Sequence, residues 1–157
     1  MTPNRHNPAP QDLLVIGYGN TLRRDDGVGS KVAEAVAALH LPGVNVMVRH
    51  QLVPELAEPI SQARGVIFVD GTVNANGDAE LREIAARPAG PILAHAIDPR
   101  SLLALAKEIF ERSPPAWSLA IPVEDLGFGD GLSPRAAAGL QSALTQLQSL
   151  IRRLNAS

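Results

Sequence analysis

The stretch "LLVIGYGNTLRRDDGVGSKVAEAV", residues 13–36, decides the fold class. Residues 13–16 form a short apolar run that ends at a glycine, which is typical of a buried parallel strand. Apolar residues then recur at helical spacing over residues 28–39 and predict an amphipathic helix. The loop between strand and helix carries two adjacent acids, Asp25 and Asp26, and either of them is well placed to cap the helix.

The rest of the chain continues this alternation of strands and helices. Pro59 is expected to shorten or kink the second helix. The pattern predicts an α/β fold of three layers, α/β/α, with a mixed, mostly parallel twisted sheet of about five strands. A single domain is expected over residues 13–157, after a disordered tail at residues 1–12. Further strands are predicted at residues 44–48, 66–69, 79–85 (an edge strand) and 117–121, and helices at residues 54–63, 101–112 and 136–154.

Composition narrows the class of protein. The chain has 157 residues and a net charge of -2, so it shows no basic footprint for nucleic acid. No apolar run approaches the length of about 18 residues that a transmembrane helix needs, and the first dozen residues lack the apolar core of a signal peptide. The absence of cysteine excludes disulfides and thiolate sites. We therefore expect a cytoplasmic protein that binds neither nucleic acid nor membrane.

Several polar residues follow the predicted strands and converge on one edge of the sheet. Asp25 and Asp26 follow the first strand, His50 the second and Asp70 the third, while His95 precedes the third long helix. Ligands of α/β folds gather at the carboxyl ends of parallel strands. Carboxylates and an imidazole there indicate a divalent metal site, and nickel, zinc, manganese or iron would each fit. Taken singly, each residue also has a structural interpretation, as a helix cap, a loop anchor or a surface group.

Competing motifs fail on inspection. Gly17 and Gly19 match the start of a dinucleotide-binding loop, but Leu22 occupies the third glycine position and no acid follows the second strand. A GxSxG nucleophile elbow is absent. A phospho-receiver domain would share the acidic pair, yet its acids would directly follow the first strand and a lysine would follow a late strand.

At this point four segments, in order, carry a resemblance to a known family. "VIGYGNTLRRDDGVG" resembles the opening signature of the hydrogenase maturation endopeptidases, which trim the C-terminal extension from the large subunit of [NiFe]-hydrogenases. "VIFVDGT" resembles the family's strand ending in Asp, and "LAHAIDPRSLLAL" its His-bearing loop and helix. "IPVEDLGFGDGLSP" resembles the loop before its final helix. The resemblance spans residues 13–154.

The resemblance implies three residues that contact metal and carry catalysis: Asp26, Asp70 and His95. Some members have Glu at the first of these positions, and the shorter Asp26 changes the reach of the ligand but not its chemistry. Asp25 is expected to orient the loop or cap the helix as an accessory residue. His50 is either an additional ligand or substrate contact, or a surface residue, and the role of Glu124 is open.

The resemblance also implies a function, a cofactor and a partner. The chain would be an endopeptidase, acting as a monomer on a [NiFe]-hydrogenase large-subunit precursor after nickel insertion. Nickel would come from the precursor as the recognition signal, and other divalent metals could substitute in vitro. Two roles for it stay open: a Lewis acid near the scissile carbonyl, or a positioning element beside a carboxylate general base. The alternatives are a non-catalytic maturation factor that binds metal or precursor, and a receiver-like signalling domain.

Overall fold

The architecture is a five-stranded mixed sheet between two layers of helices. The computed structural model describes residues 12–73, 77–88 and 97–156. The strand order is β2-β1-β3-β5-β4, and all pairs are parallel except β4 with β5. The strands are β1 Leu13–Tyr18, β2 Val44–Arg49, β3 Gly65–Thr72, β4 Glu80–Ile84 and β5 Ala116–Pro122, and the helices are α1 Val28–Ala38, α2 Ala57–Gln62, α3 Pro99–Phe110 and α4 Pro134–Asn155.

The predicted fold class and strand number are confirmed, and the topology removes one functional alternative. Receiver domains are built on a parallel sheet in the order 2-1-3-4-5. Here the fourth strand lies at the sheet edge, beyond the fifth and antiparallel to it. The receiver-like interpretation is therefore wrong for this chain.

The inner strands β1 and β3 are apolar on both faces because helices cover each face of the sheet. Val15 and Ile67 point into the cluster formed with α1 and α4, while Ile16 and Phe68 point into the cluster formed with α2 and α3. All four side chains are buried. This two-sided burial explains why β1 and β3 read as continuous apolar runs rather than as alternating patterns.

The second helix is shorter than predicted. A 3-10 turn, Pro54–Leu56, leads into the six residues of α2. Pro59 lies in the first turn of α2, where a missing backbone N–H costs nothing because that donor has no intrahelical partner. Pro59 therefore fixes where the α-helical hydrogen bonding starts, and the expected shortening is confirmed.

The edge strand β4 is also confirmed. Its sequence "ELREI" places charged side chains on an exposed sheet edge, and the Arg82 guanidinium is 3.0 Å from the Glu80 carboxylate. Charged edge residues discourage pairing with other chains. Residues 1–11 of the predicted tail lie outside the described residues. Asp12 is described, and its carbonyl accepts the backbone N–H of Arg64 at 2.8 Å.

Helix α1 lies very close to the carboxyl ends of the two central strands. A Cβ on Gly29 would be 2.3 Å from the Val69 carbonyl oxygen and 2.8 Å from that of Tyr18. A side chain at Gly29 is therefore incompatible with this packing, and the first turn of α1 is fixed over the ends of β1 and β3. Within the described ranges, none of the helices is long and apolar enough to cross a membrane.

Candidate active site

The candidate site lies where the strand order reverses. The chain passes from β1 to β2 on one side and later returns to β3 on the other side of β1. A crevice at such a switch point, outside the carboxyl ends of the strands, is the usual ligand site of an open α/β sheet. The register pairs Gly17 with Val69, so Tyr18 and Asp70 follow as neighbours at the ends of β1 and β3.

The loop after β1 folds back and brings Asp26 over this crevice. Gly19 has a φ of 140°, and a Cβ there would lie 1.9 Å from the Asp26 carbonyl oxygen, so only glycine permits the turn. The backbone N–H of Asn20 donates to Asp26 Oδ2 at 2.9 Å. The glycine-rich turn therefore positions a carboxylate at the sheet edge.

Asp70 lies in an environment that disfavours its negative charge. Burial, together with the nearby negative charge of Asp26, raises the pKa of the Asp70 carboxyl from its ordinary 3.8 to a net value of about 6. Hydrogen bonds from the Tyr18 hydroxyl and the backbone N–H of Gly71 act in the opposite direction. Asp70 is thus ionised at neutral pH and more basic than an ordinary aspartate.

The phenol of Tyr18 stays protonated and donates to Asp70. Burial raises the pKa of the Tyr18 hydroxyl strongly, and the negative charges of Asp70 and Asp98 add to this shift. Asp98 caps α3, where its carboxylate accepts the Ser101 N–H at 2.8 Å and pairs with Arg87. The N-terminal end of α3 therefore lies near enough to Tyr18 for the charge of Asp98 to act on its hydroxyl.

Asp25 has a structural role that differs from the expected helix cap. No side chain caps α1, whose N-cap residue is Gly27. The Asp25 carboxylate is fully buried and accepts four hydrogen bonds: from the backbone N–H groups of Glu124 (3.0 Å), Asp125 (3.0 Å) and Ser133 (2.7 Å), and from the Ser133 hydroxyl (2.6 Å). The capping prediction is wrong because the side chain points away from the helix and into the late loop.

The titration of Asp25 follows from these contacts. Burial alone would raise its pKa, but the hydrogen bonds outweigh burial and hold the pKa of this carboxyl below its ordinary value. Asp25 is therefore ionised, and protein N–H and O–H groups donate hydrogen bonds to both of its carboxylate oxygens. Its oxygens fasten residues 124–133 to the first loop, which supports the expected accessory role of orienting the loop.

The other residues predicted from the sequence are either exposed or outside the described residues. His50 is exposed and follows Arg49, whose carbonyl accepts the Gly19 N–H at 3.2 Å. It therefore adjoins the base of the first loop, with no contact to the two carboxylates. Glu124 has an exposed side chain, and its backbone N–H binds Asp25. His95 lies outside the described residues.

The described residues bring together two of the three predicted metal ligands. Asp26 and Asp70 are close enough for the charge of one to raise the pKa of the other. Within residues 12–73, 77–88 and 97–156 there is no group of three or more His, Cys, Asp or Glu side chains that could hold a metal ion. The pair is an anionic half-site that can bind a cation or accept a proton from water.

Two contributors escape sequence reasoning. Tyr18 lies between the two glycines of "GYG" and is typical of an apolar strand end. Its contact with Asp70 depends on the pairing of β1 with β3. The sequence around Ser133 indicates only the N-cap of α4, and its hydroxyl does accept the Ala136 N–H at 3.1 Å. The backbone N–H of Ser133 also donates to Asp25. Because Ser133 and Asp25 are 108 residues apart, no local signal links them.

Solved structures share this fold. The hydrogenase maturating endopeptidase HybD from E. coli superposes with a TM-score of 0.67 and 21% identity, covering 90% of this chain and 93% of that one. The [NiFe] hydrogenase maturation protease HybD from Thermococcus kodakarensis gives 0.65 and 20%, covering 88% and 98%. HycI, a [NiFe] hydrogenase maturation protease from Thermococcus kodakarensis KOD1, gives 0.65 and 20%, covering 94% of each chain.

No protein-family model and no curated protein matches the sequence. The structural likeness therefore rests on the course of the whole chain rather than on sequence identity. It confirms the fold that the resemblance implied.

Proposed function

We propose that this chain is an endopeptidase that removes the C-terminal extension of a [NiFe]-hydrogenase large-subunit precursor after nickel insertion. The observation that carries the proposal is the convergence of Asp26 and Asp70 at the switch point of a fold shared with solved hydrogenase maturation peptidases. The four-segment sequence resemblance supports the same function independently of the structure.

The two carboxylates are suited to different parts of peptide hydrolysis. A general base works best when its pKa lies not far below the working pH. Asp70, with its pKa raised to about 6, meets that condition and can accept a proton from the attacking water. Asp26, whose carboxylate accepts the backbone N–H of Asn20 in the same loop, supplies an oxygen ligand next to Asp70.

The nickel in this proposal belongs to the substrate. Carboxylate and imidazole groups bind divalent nickel, and protein affinity alone does not select it over zinc or copper. We infer that Asp26, Asp70 and His95 contact the nickel already installed in the precursor, so that only a completed precursor is cut. Nickel close to the scissile carbonyl would polarise that carbonyl as a Lewis acid, in addition to the proton transfer to Asp70.

The test is cleavage of matched precursors. Nickel-loaded and nickel-free large-subunit precursors are incubated with the purified protein, and loss of the C-terminal extension is followed by mass spectrometry. We expect cleavage of the loaded precursor only, and its loss in Asp26→Ala, Asp70→Ala and His95→Ala. Glu108→Ala removes an exposed acid on α3 and serves as the control with unchanged cleavage.

Three outcomes separate the alternatives. An intact extension after incubation with wild type and the correct loaded precursor would contradict the peptidase function. Binding of that precursor without cleavage would identify a non-catalytic maturation factor. Unchanged cleavage by His95→Ala would remove His95 from the site.

A further inference from the structure

Two large apolar side chains are exposed beside the candidate site. Leu22, in the loop after β1, is 68% exposed, and Phe128, in the loop before α4, is 89% exposed. Scattered apolar residues on a surface need no explanation, but adjacent ones often mark an interaction site.

Backbone pairing between the two loops makes them neighbours. Arg23 and Gly129 form a parallel β-bridge. The N–H of Gly129 donates to the Leu22 carbonyl at 2.9 Å, and the N–H of Arg24 donates to the Gly129 carbonyl at 3.0 Å. Leu22 and Phe128 each lie one position before the bridge, and matching positions of parallel segments present their side chains to the same face. The two residues therefore form one continuous surface, which we call the apolar rim.

Hydrogen bonds between the two loops fix the position of the apolar rim. The same two loops are joined by the buried Asp25 carboxylate and its four hydrogen bonds from residues 124, 125 and 133. The backbone N–H of Asp25 also donates to the Asp125 carbonyl at 2.9 Å. A surface that is ordered before binding loses less conformational entropy when a partner docks. The loops thus present Leu22 and Phe128 in a fixed arrangement.

The two arginines beside the apolar rim are engaged within the loops. Arg24 Nε is 3.7 Å from Asp125 Oδ2, and Arg24 Nη1 donates to the Asp130 carbonyl at 3.4 Å. Arg23 Nε donates to the Leu126 carbonyl at 3.2 Å. A partner facing this surface therefore meets two exposed apolar side chains beside arginines that the loops already hold, while the acids Glu124 and Asp130 are exposed in the same late loop. The chemistry that matches Leu22 and Phe128 themselves is apolar.

We propose that the apolar rim docks an apolar segment of the hydrogenase large-subunit precursor next to its cleavage point, an inference that rests on the proposed function. Leu22 and Asp26 belong to one loop, separated by three residues. A polypeptide whose scissile bond reaches Asp26 and Asp70 can therefore contact Leu22 on the same loop. The apolar rim would then hold the substrate chain in place.

The experiment measures affinity and cleavage separately. Leu22→Ser and Phe128→Ser are compared with Ile109→Ser, which removes a 58% exposed apolar side chain from the far end of α3. Binding of nickel-loaded precursor is measured in an Asp70→Asn background, and KM and kcat in the wild-type background. We expect each rim variant to weaken binding and raise KM about tenfold, with kcat within about twofold, and Ile109→Ser to match wild type.

The conservative variants Leu22→Met and Phe128→Leu keep apolar surface and should retain near-normal affinity. Melting temperatures of all variants verify that the fold is intact. Rim variants that bind and cut like wild type would overturn the docking surface while leaving the peptidase function in place. Equal losses in Ile109→Ser would overturn it as well. A wild type that neither binds nor cuts the precursor would instead overturn the proposed function, and the docking surface with it.

Discussion

Asp70 is held in a position where its charge is opposed by burial and by Asp26. A carboxylate with a raised folded-state pKa stabilises the fold below its ordinary pKa, and this stabilisation is lost as pH rises through the folded value. For Asp70 the window runs from 3.8 to about 6. Above that window the fold carries an electrostatic cost at its own candidate active site.

The first prediction concerns Asp70→Asn, which keeps the shape and removes the charge. We expect the variant to exceed wild type in unfolding free energy by about 2 kcal/mol near pH 8, and by little at about pH 3, where Asp70 is largely protonated in both states. Cleavage should fall at least about hundredfold. Urea unfolding at the two pH values tests the first part. The same stability difference at both pH values would contradict this account of Asp70.

The second prediction concerns Tyr18→Phe. Its ring packs on the cluster that α2 and α3 cover, and Phe preserves that packing while removing the donor to Asp70. We expect kcat to fall about tenfold with KM unchanged, as is usual when a group that orients an active-site ligand is lost. In an Asp70→Asn background the same change should cost little, because Tyr18 acts through Asp70. An undiminished loss in that background would assign Tyr18 a separate role.

Among the elements, the connection between the first and the late loop depends on one carboxylate. The third prediction is that Asp25→Ala lowers the unfolding free energy by about 3–5 kcal/mol, since it strands buried donors around an empty position. Urea unfolding measures the loss, and hydrogen exchange should show reduced protection of the amides of Glu124, Asp125 and Ser133. Glu124→Ala is the control, because it keeps the backbone donor and removes only an exposed side chain. A loss equal to that of Glu124→Ala would contradict the anchoring role.

The elements themselves were largely readable from local sequence. The apolar runs of β1 and β3, the alternation of β4 and the periodicity of α1, α3 and α4 predict their types correctly. The limits differ by a few residues because strands extend as far as pairing continues, as in β3, which runs on to Thr72 beside Pro122. Pairing partners are not a local property, so periodicity cannot fix these ends.

The sequence singles out both acids of the first loop but not the contacts that distinguish them. Adjacent Asp25 and Asp26 look alike in sequence, yet one is buried against the late loop and the other faces the crevice. Their difference is created by donors from residues 124–133, about a hundred positions away. The link between Tyr18 and Asp70 likewise depends on β1 and β3 being sheet neighbours. The proposed role of His95 remains a prediction outside the described residues.

At the scale of the whole molecule, the fold gathers distant segments at one sheet edge. The ends of β1 and β3, the loop before α4 and the start of α3 meet around Asp70 because parallel strands all end on the same side. Residues drawn from all three thirds of the chain thus build the candidate site and its apolar rim. A molecule that approaches this edge meets all of them at once.

The last prediction concerns how that approach is driven. Long-range steering scales with the charges of the partners, and this chain carries a net charge of only -2. The arginines beside the apolar rim are engaged by Asp125 and by loop carbonyls, so these basic groups are not free to attract a partner there. We expect kcat/KM for the precursor to change less than about threefold between about 50 and 300 mM salt, a range that screens surface charges strongly. Stopped-flow binding and cleavage rates across this range provide the measurement. The Leu22→Ser variant should remain impaired at every salt concentration, because apolar contact is not screened. A tenfold loss of rate with salt in wild type would show instead that charge governs docking.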